Sequence, residues 1–308
     1  MKPFRLRTWL QLLRAPNLFT VPGDPTAGYL ISNSFQLDWT LGAAIAASLC
    51  FYSAGLLMND LADEKEDRLE RPNRPLPSGA ASRGSVWIAL IVLCAAGLGA
   101  LASTQKLPAI LIGLALVLAI TFYNFWTKHI PVIGALNMGV CRTLSVITGA
   151  VVGPMADFNY KLAMIPAAIL GLYIAAVTNL ARHETRDRVP VIARVLPVVA
   201  MLFACIGGTL YDLTGPATTP AVAIYALAAL MAVWLVIKLF KKPGTPLPPL
   251  IGAHIRLLLP LQAALCYTGD SPEGPFTGDP WCVGRIAAFT LLVFWPISRV
   301  VSKRFYAS

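Results

Sequence analysis

Charge is what this chain has least of. Only 13% of its 308 residues are Asp, Glu, Lys or Arg, about half the share usual in a soluble domain, whereas 56% are hydrophobic and mean hydropathy is +0.66. This balance excludes an ordinary soluble domain and leaves an integral, multi-pass membrane protein. Metal-ligating cysteine spacing is absent too. Cys50, Cys94, Cys141 and Cys205 lie singly in apolar runs and read as packing residues; Cys266 and Cys282 flank one loop, where an oxidising face would allow a disulfide. The excess of cations, a formal net charge of +10, has no soluble basic domain to carry it, which argues against nucleic-acid binding. No cleavable leader is expected, because the first apolar run is long and is broken by Pro22 and Asp24. No linker is long enough to divide 1–308, which reads as a single domain.

What is present is a series of apolar runs near the ~20 residues needed to cross a bilayer. Ten are expected: 17–33, 41–62, 85–104, 107–127, 132–153, 162–181, 190–211, 219–240, 250–268 and 283–301. The weakest is 250–268, interrupted by His254, Arg256 and Pro260; its two basic residues read as interfacial. Lys2, Arg5, Arg7, Arg14, the 64–84 loop, Lys128, Arg182, Lys238, Arg299 and Lys303 all fall on one side of this arrangement. Asp38, Asp157, Asp212, Asp270, Glu273 and Asp279 fall on the other. The cation-rich side is expected to be cytoplasmic, in a bacterial inner (plasma) membrane whose lipid is the chain's constant partner.

Against this background, carboxylates crowd one span end. Asn59-Asp60-Leu61-Ala62-Asp63-Glu64-Lys65-Glu66-Asp67 runs into Arg71-Pro72-Asn73-Arg74-Pro75-Leu76-Pro77-Ser78-Gly79. Ionisable groups at that depth mark a functional site by default. On one continuous helix Asp60, Asp63 and Asp67 span an arc of about 60°, with Asn59 at its shoulder. Magnesium binds through one or two carboxylates plus substrate phosphates, and the planar guanidinium of Arg68, Arg71 or Arg74 matches phosphate bidentately. The combination suits a diphosphate whose lipid tail lies among the helices. Asp24 and Arg142, inside spans, belong either to the site or to a structural pair.

The run Asn59-Asp60-x-x-Asp63-x-x-x-Asp67 followed by Arg71-Pro72-x-Arg74-Pro75-Leu76-Pro77-Ser78-Gly79 resembles the first signature of the UbiA superfamily of intramembrane prenyltransferases. Arg14-x-x-Asn17 resembles that family's N-terminal polar pair, and Tyr123 with Lys128 its Tyr/Lys pair. The resemblance implies an all-α, polytopic bundle of nine to ten transmembrane helices around a central polar cavity. It further implies Mg2+-dependent transfer of a prenyl group from a prenyl diphosphate to an electron-rich, lipophilic acceptor. Asp60, Asp63, Asp67 and Asp187 would hold metal. Arg14, Asn17, Asn59, Arg68, Arg71, Arg74, Tyr123, Lys128, Asn179, His183 and Glu184 would hold substrate. The second aspartate series of two-magnesium members is depleted here to Asn179, His183, Glu184 and Asp187, a set less suited to a hard cation. With Val21-Pro22-Gly23-Asp24-x-x-Ala27-Gly28 and Gly139-x-x-Arg142, this variant resembles the EboC-like branch. The depletion also motivates an alternative, a non-catalytic lipid-diphosphate binder or a component of a membrane export system.

Overall fold

The computed structural model describes residues 6–33, 37–154, 160–184, 189–213, 219–241, 247–268 and 283–305. Among them every regular element is helical. The chain begins with three short pieces, α1 (Leu6–Leu12), α2 (Ala15–Leu18) and α3 (Gly23–Ser32), followed by α4 (Trp39–Ala62), α5 (Glu64–Glu70), α6 (Arg83–Ser103) and α7 (Leu107–Phe125). Then come α8 (Ile133–Val152), α9 (Met164–Ala181), α10 (Val191–Leu213), α11 (Thr219–Lys241), α12 (Leu247–Arg256), α13 (Leu258–Thr268) and α14 (Val283–Phe305).

Local chemistry sets the ends. Asp38, in extended conformation, caps α4 by accepting from the Thr40 amide at 2.8 Å, and the Ser82 hydroxyl accepts from the Ser85 amide to start α6. Nine described helices are long and apolar enough to cross a membrane, with α12 and α13 counted as one. Their outward faces carry exposed Leu111, Leu118, Phe203, Leu210, Phe289 and Val300, as lipid-facing surfaces require.

The expected first span, 17–33, is not a single helix. Pro16 and Pro22 each lack a backbone donor, and Arg14 adopts a left-handed φ of 42°, so the segment is divided into α1, α2 and α3. It nevertheless runs the length of α4. Arg14 meets Asp60 at one end, and the Tyr29 hydroxyl donates to Asp38 at the other. Segment 247–267 is in fact the most buried of the nine candidates. Pro260 cannot donate to the Arg256 carbonyl one turn back, which is where α12 gives way to α13. His254 is interior rather than interfacial, 2% exposed, with its carbonyl accepting from the Tyr173 hydroxyl at 2.7 Å.

The centre of the bundle is α8, packed against α3, α7 and α9. Backbones come close there without room for side chains. A Cβ on Gly28 would strike the Val146 carbonyl, and one on Gly149 would strike the backbone of Pro25; small residues permit such approach between membrane helices. Gly149→Leu is therefore expected to cost about 1–3 kcal/mol through overpacking, visible as a lowered midpoint of thermal unfolding in detergent.

Candidate functional site

The site is built where α2, α4, α5, α9 and α12 converge. Helix α4 ends at Ala62, and Asp63 (φ −88°, ψ 0°) joins it to α5. The acidic run is thus two helices meeting at Asp63, not the single continuous helix expected from spacing. The break changes the phase. Asp63 and Asp67 line a polar mouth with Glu66 and Glu70, while Asp60 is buried and lines neither this mouth nor the chamber described below. Opposite stand Arg14 just before α2, Asn17 within it, Glu184 after α9, and Ile251, Ile255 and Arg256 from α12. The mouth measures about 270 Å³. Arg14 reaches it from its left-handed backbone, a conformation costly for a residue with a side chain and found at functional sites.

Beneath it lies a second, mainly apolar chamber of about 230 Å³. Arg14, Asn17, Asn59, Ile251 and Ile255 line both cavities. Leu116, Ile120, Ile174, Val177 and Leu258 supply the apolar walls. Tyr123 and Asn124 line this lower chamber rather than the mouth; Asn124 is fixed by donating to the Ile120 carbonyl at 2.9 Å.

Asp60, Asp63 and Asp67 are all ion-paired. Arg74 Nη1 lies 2.7 Å from Asp67 and 3.9 Å from Asp60, and Arg14 lies 3.5 Å from Asp60. Asp63 is paired with Lys128 and accepts from Asn59 Nδ2. Arg71 lines the mouth without an ion-pair partner among the described residues. Arg68 is turned away: it bonds Glu64 one turn back at 2.7 Å with its side chain 64% exposed, which corrects the expectation that it holds phosphate.

Of the depleted second series, Glu184 reaches the mouth, whereas Asn179 and His183 line neither cavity. His183 Nδ1 is instead 3.0 Å from the Asn179 carbonyl. Asp187 and Cys282 lie outside the described residues. Among those residues no cluster of three His, Cys, Asp or Glu forms a ready metal cage. The donor set still suits a hard cation, because the cationic Arg74 nitrogen already sits between the carboxylates of Asp60 and Asp67.

Sequence reasoning missed Glu66, Glu70, Arg256 and Ser302 in the mouth. The glutamates were traceable, since 63, 66, 67 and 70 follow helical spacing. Arg256 was not; its guanidinium folds back over Gly252, whose added Cβ would lie 3.3 Å from Nη1. Asp24 and Arg142 form a pair, 2.9 Å apart, and Asp24 is wholly buried. Gln262 donates to Asp24, and Arg142 Nη2 donates to the Thr20 carbonyl. Arg142 also lines the chamber.

A family model described as the UbiA prenyltransferase family matches residues 25–241. The chain is 38% identical over 76 residues to a digeranylgeranylglyceryl phosphate synthase of Methanocaldococcus jannaschii, covering 24% of this chain and only 27% of that one. It is 25% identical over 311 residues to the protein of that name from Natronomonas pharaonis, covering 96% and 98%. Among solved structures, an apo UbiA homologue from Aeropyrum pernix K1 aligns with a TM-score of 0.67 at 18% identity, over 82% of this chain and 97% of its own. A homologue from Archaeoglobus fulgidus bound to DMAPP and Mg2+ aligns at 0.56 and 16% identity, over 85% and 98%. At those identities the structural likeness concerns the fold.

Proposed function

This chain belongs to the UbiA prenyltransferase family, and from that premise we propose that it moves a prenyl group from a prenyl diphosphate to an electron-rich, lipophilic acceptor in a Mg2+-dependent reaction. We read residues 1–308 as one catalytic unit. The site faces the cytoplasm across a plasma membrane, because the cations gather at the acidic end of α4. One observation carries the reading: a mouth of carboxylates and arginines opens directly onto an apolar chamber. A diphosphate head and a hydrocarbon tail need that sequence of environments.

Asp60, Asp63 and Asp67 would hold Mg2+, assisted by Glu184 from across the mouth and, by its place in the sequence, Asp187. Mg2+, when bound, neutralises the charge that builds on a departing phosphate. Arg74, Arg14 and Lys128, released from their carboxylates, turn to the phosphate oxygens, where Arg71 already waits. The C1–O bond breaks with its electron pair leaving on pyrophosphate. The acceptor then bonds to C1 and gives up a proton. Asn17 and Asn59, lining both cavities, position the junction between head and tail.

Arg71→Ala should raise the KM for donor roughly ten- to a hundredfold, the equivalent of one charge-assisted hydrogen bond of about 1.5–3 kcal/mol. Arg68→Ala should change it little, because an exposed pair contributes little. Steady-state assays of the two variants check the contrast. The proposal as a whole is tested by binding of geranyl diphosphate to purified protein with and without Mg2+, followed by assay for released pyrophosphate in the presence of membrane lipid extract. Metal-dependent binding and release support it. Binding without release favours a lipid-diphosphate binder, and absence of both rejects it.

A further inference from the structure

We infer that Arg256 is a further diphosphate-binding residue, acting from the wall of the mouth that faces the acidic run. The inference rests on the donor reading above and deepens it by assigning a residue that family membership does not, since position 256 lies beyond the residues matched by the family model. Five residues of α12 line the mouth: Pro248, Ile251, Gly252, Ile255 and Arg256. They recur at helical spacing and so share one face of the helix. Of the five, Arg256 alone is charged.

The depth of that charge points to a function. Arg256 stands near the middle of segment 247–267, the most buried of the nine candidate spans, about 14 Å from its Leu247 end at the α-helical rise. A cation at the centre of a span is costly and marks a functional site unless it climbs to the interface. This one does not climb that far. Its guanidinium folds back about one turn, roughly 6 Å, over Gly252, where an added Cβ would lie 3.3 Å from Nη1. It therefore ends inside the mouth, beside Ile255, which lines both the mouth and the chamber. That is the level at which a prenyl diphosphate changes from charged head to hydrocarbon tail.

Across the mouth, Asp63 and Asp67 are proposed to take Mg2+, and the cations beside them, Lys128 and Arg74, are paired with those same carboxylates. A diphosphate held through Mg2+ on that wall presents its remaining oxygens to the opposite one. There the described cations are Arg14, itself 3.5 Å from Asp60, and Arg256. A planar guanidinium can take two of those oxygens at once. Pro248, Ile251 and Ile255 on the same face of α12 offer no hydrogen-bonding side chain in its place.

The test is the affinity of the full-length, detergent-purified protein for inorganic pyrophosphate with Mg2+ present, measured by titration calorimetry, with the thermal midpoint of each ligand-free variant recorded alongside. Arg256→Gln should weaken binding about ten- to a hundredfold, the loss of a charge-assisted hydrogen bond. Arg256→Lys should recover part of that loss, because it restores the charge without the planar fork. Arg68→Gln, which removes a cation outside the mouth, should bind as the unmodified protein does. Undiminished binding by folded Arg256→Gln overturns the inference and leaves the donor reading standing. Equal loss in the Gln and Lys variants, with both thermal midpoints lowered alike, makes Arg256 a structural residue and also overturns it. If the unmodified protein does not bind pyrophosphate with Mg2+, the donor reading fails, and the role of Arg256 with it.

Discussion

Asp63→Ala is expected to lower Mg2+-dependent turnover about a thousandfold while the protein stays monodisperse in detergent. Asp63 is the hinge of the site: it joins α4 to α5, lines the mouth, accepts from Asn59 and is paired with Lys128. Removing it takes away a carboxylate proposed to bind Mg2+ and leaves Lys128 without its partner, an additional positive charge where the proposed cation would bind. Loss of several kcal/mol of transition-state stabilisation, at about 1.36 kcal/mol per factor of ten, gives the expected size. The packing of α4 does not depend on that carboxylate, so unfolding of the variant would assign Asp63 a structural role instead. Asp63→Asn, which preserves shape, provides the second variant. His183→Ala should reduce the rate by about tenfold or less, since its ring lies outside both cavities and contacts the Asn179 carbonyl. Single-turnover assays on all three, with thermal unfolding alongside, separate chemistry from folding.

Arg142→Met should cost about 3–5 kcal/mol of stability, the usual consequence of leaving one member of a buried ion pair uncompensated. The carboxylate left behind is Asp24, 0% exposed among membrane helices, with Gln262 and Ser145 still hydrogen-bonded to it. This cluster ties α3, α8 and α13 together around the Thr20 carbonyl, which accepts from both Arg142 and Gln262. Substituting both members, as Asp24→Asn with Arg142→Met, removes both charges and should recover most of the loss. A double-mutant cycle of thermal midpoints in detergent measures the coupling. Additivity of the two single changes would show that the pair does not carry the stability assigned to it.

The long spans were legible because lipid imposes one simple rule: about 20 apolar residues for each crossing. The run expected at 41–62 became Trp39–Ala62, and 107–127 became Leu107–Phe125. The first span was misread as continuous because apolar content outweighed Pro16 and Pro22, and nothing local announces the left-handed Arg14. The first acidic motif could be found because its residues are neighbours in sequence. Arg68 was grouped with Arg71 and Arg74 because guanidinium matches phosphate, but on α5 its side chain turns to Glu64 instead. Partners joined only by the fold stayed out of reach. Thr20 and Arg142 lie 122 residues apart, and Arg256 reaches the mouth through a kink at Pro260 and a space left by Gly252. The branch-level resemblance, carried by Asp24 and Arg142, finds a structural pair in the fold, while the comparisons reach the family and not the branch.

The central claim is that the mouth and the chamber together transfer a prenyl group. Incubating the purified protein with Mg2+, membrane lipid extract and geranyl diphosphate labelled in its prenyl chain tests it most directly. Covalent appearance of the label in a new lipid species, with one pyrophosphate released per label and neither product formed by Asp63→Ala, is the result predicted. Label that is bound in a Mg2+-dependent manner yet recovered entirely as geranyl diphosphate would contradict the transferase and leave a lipid-diphosphate binder.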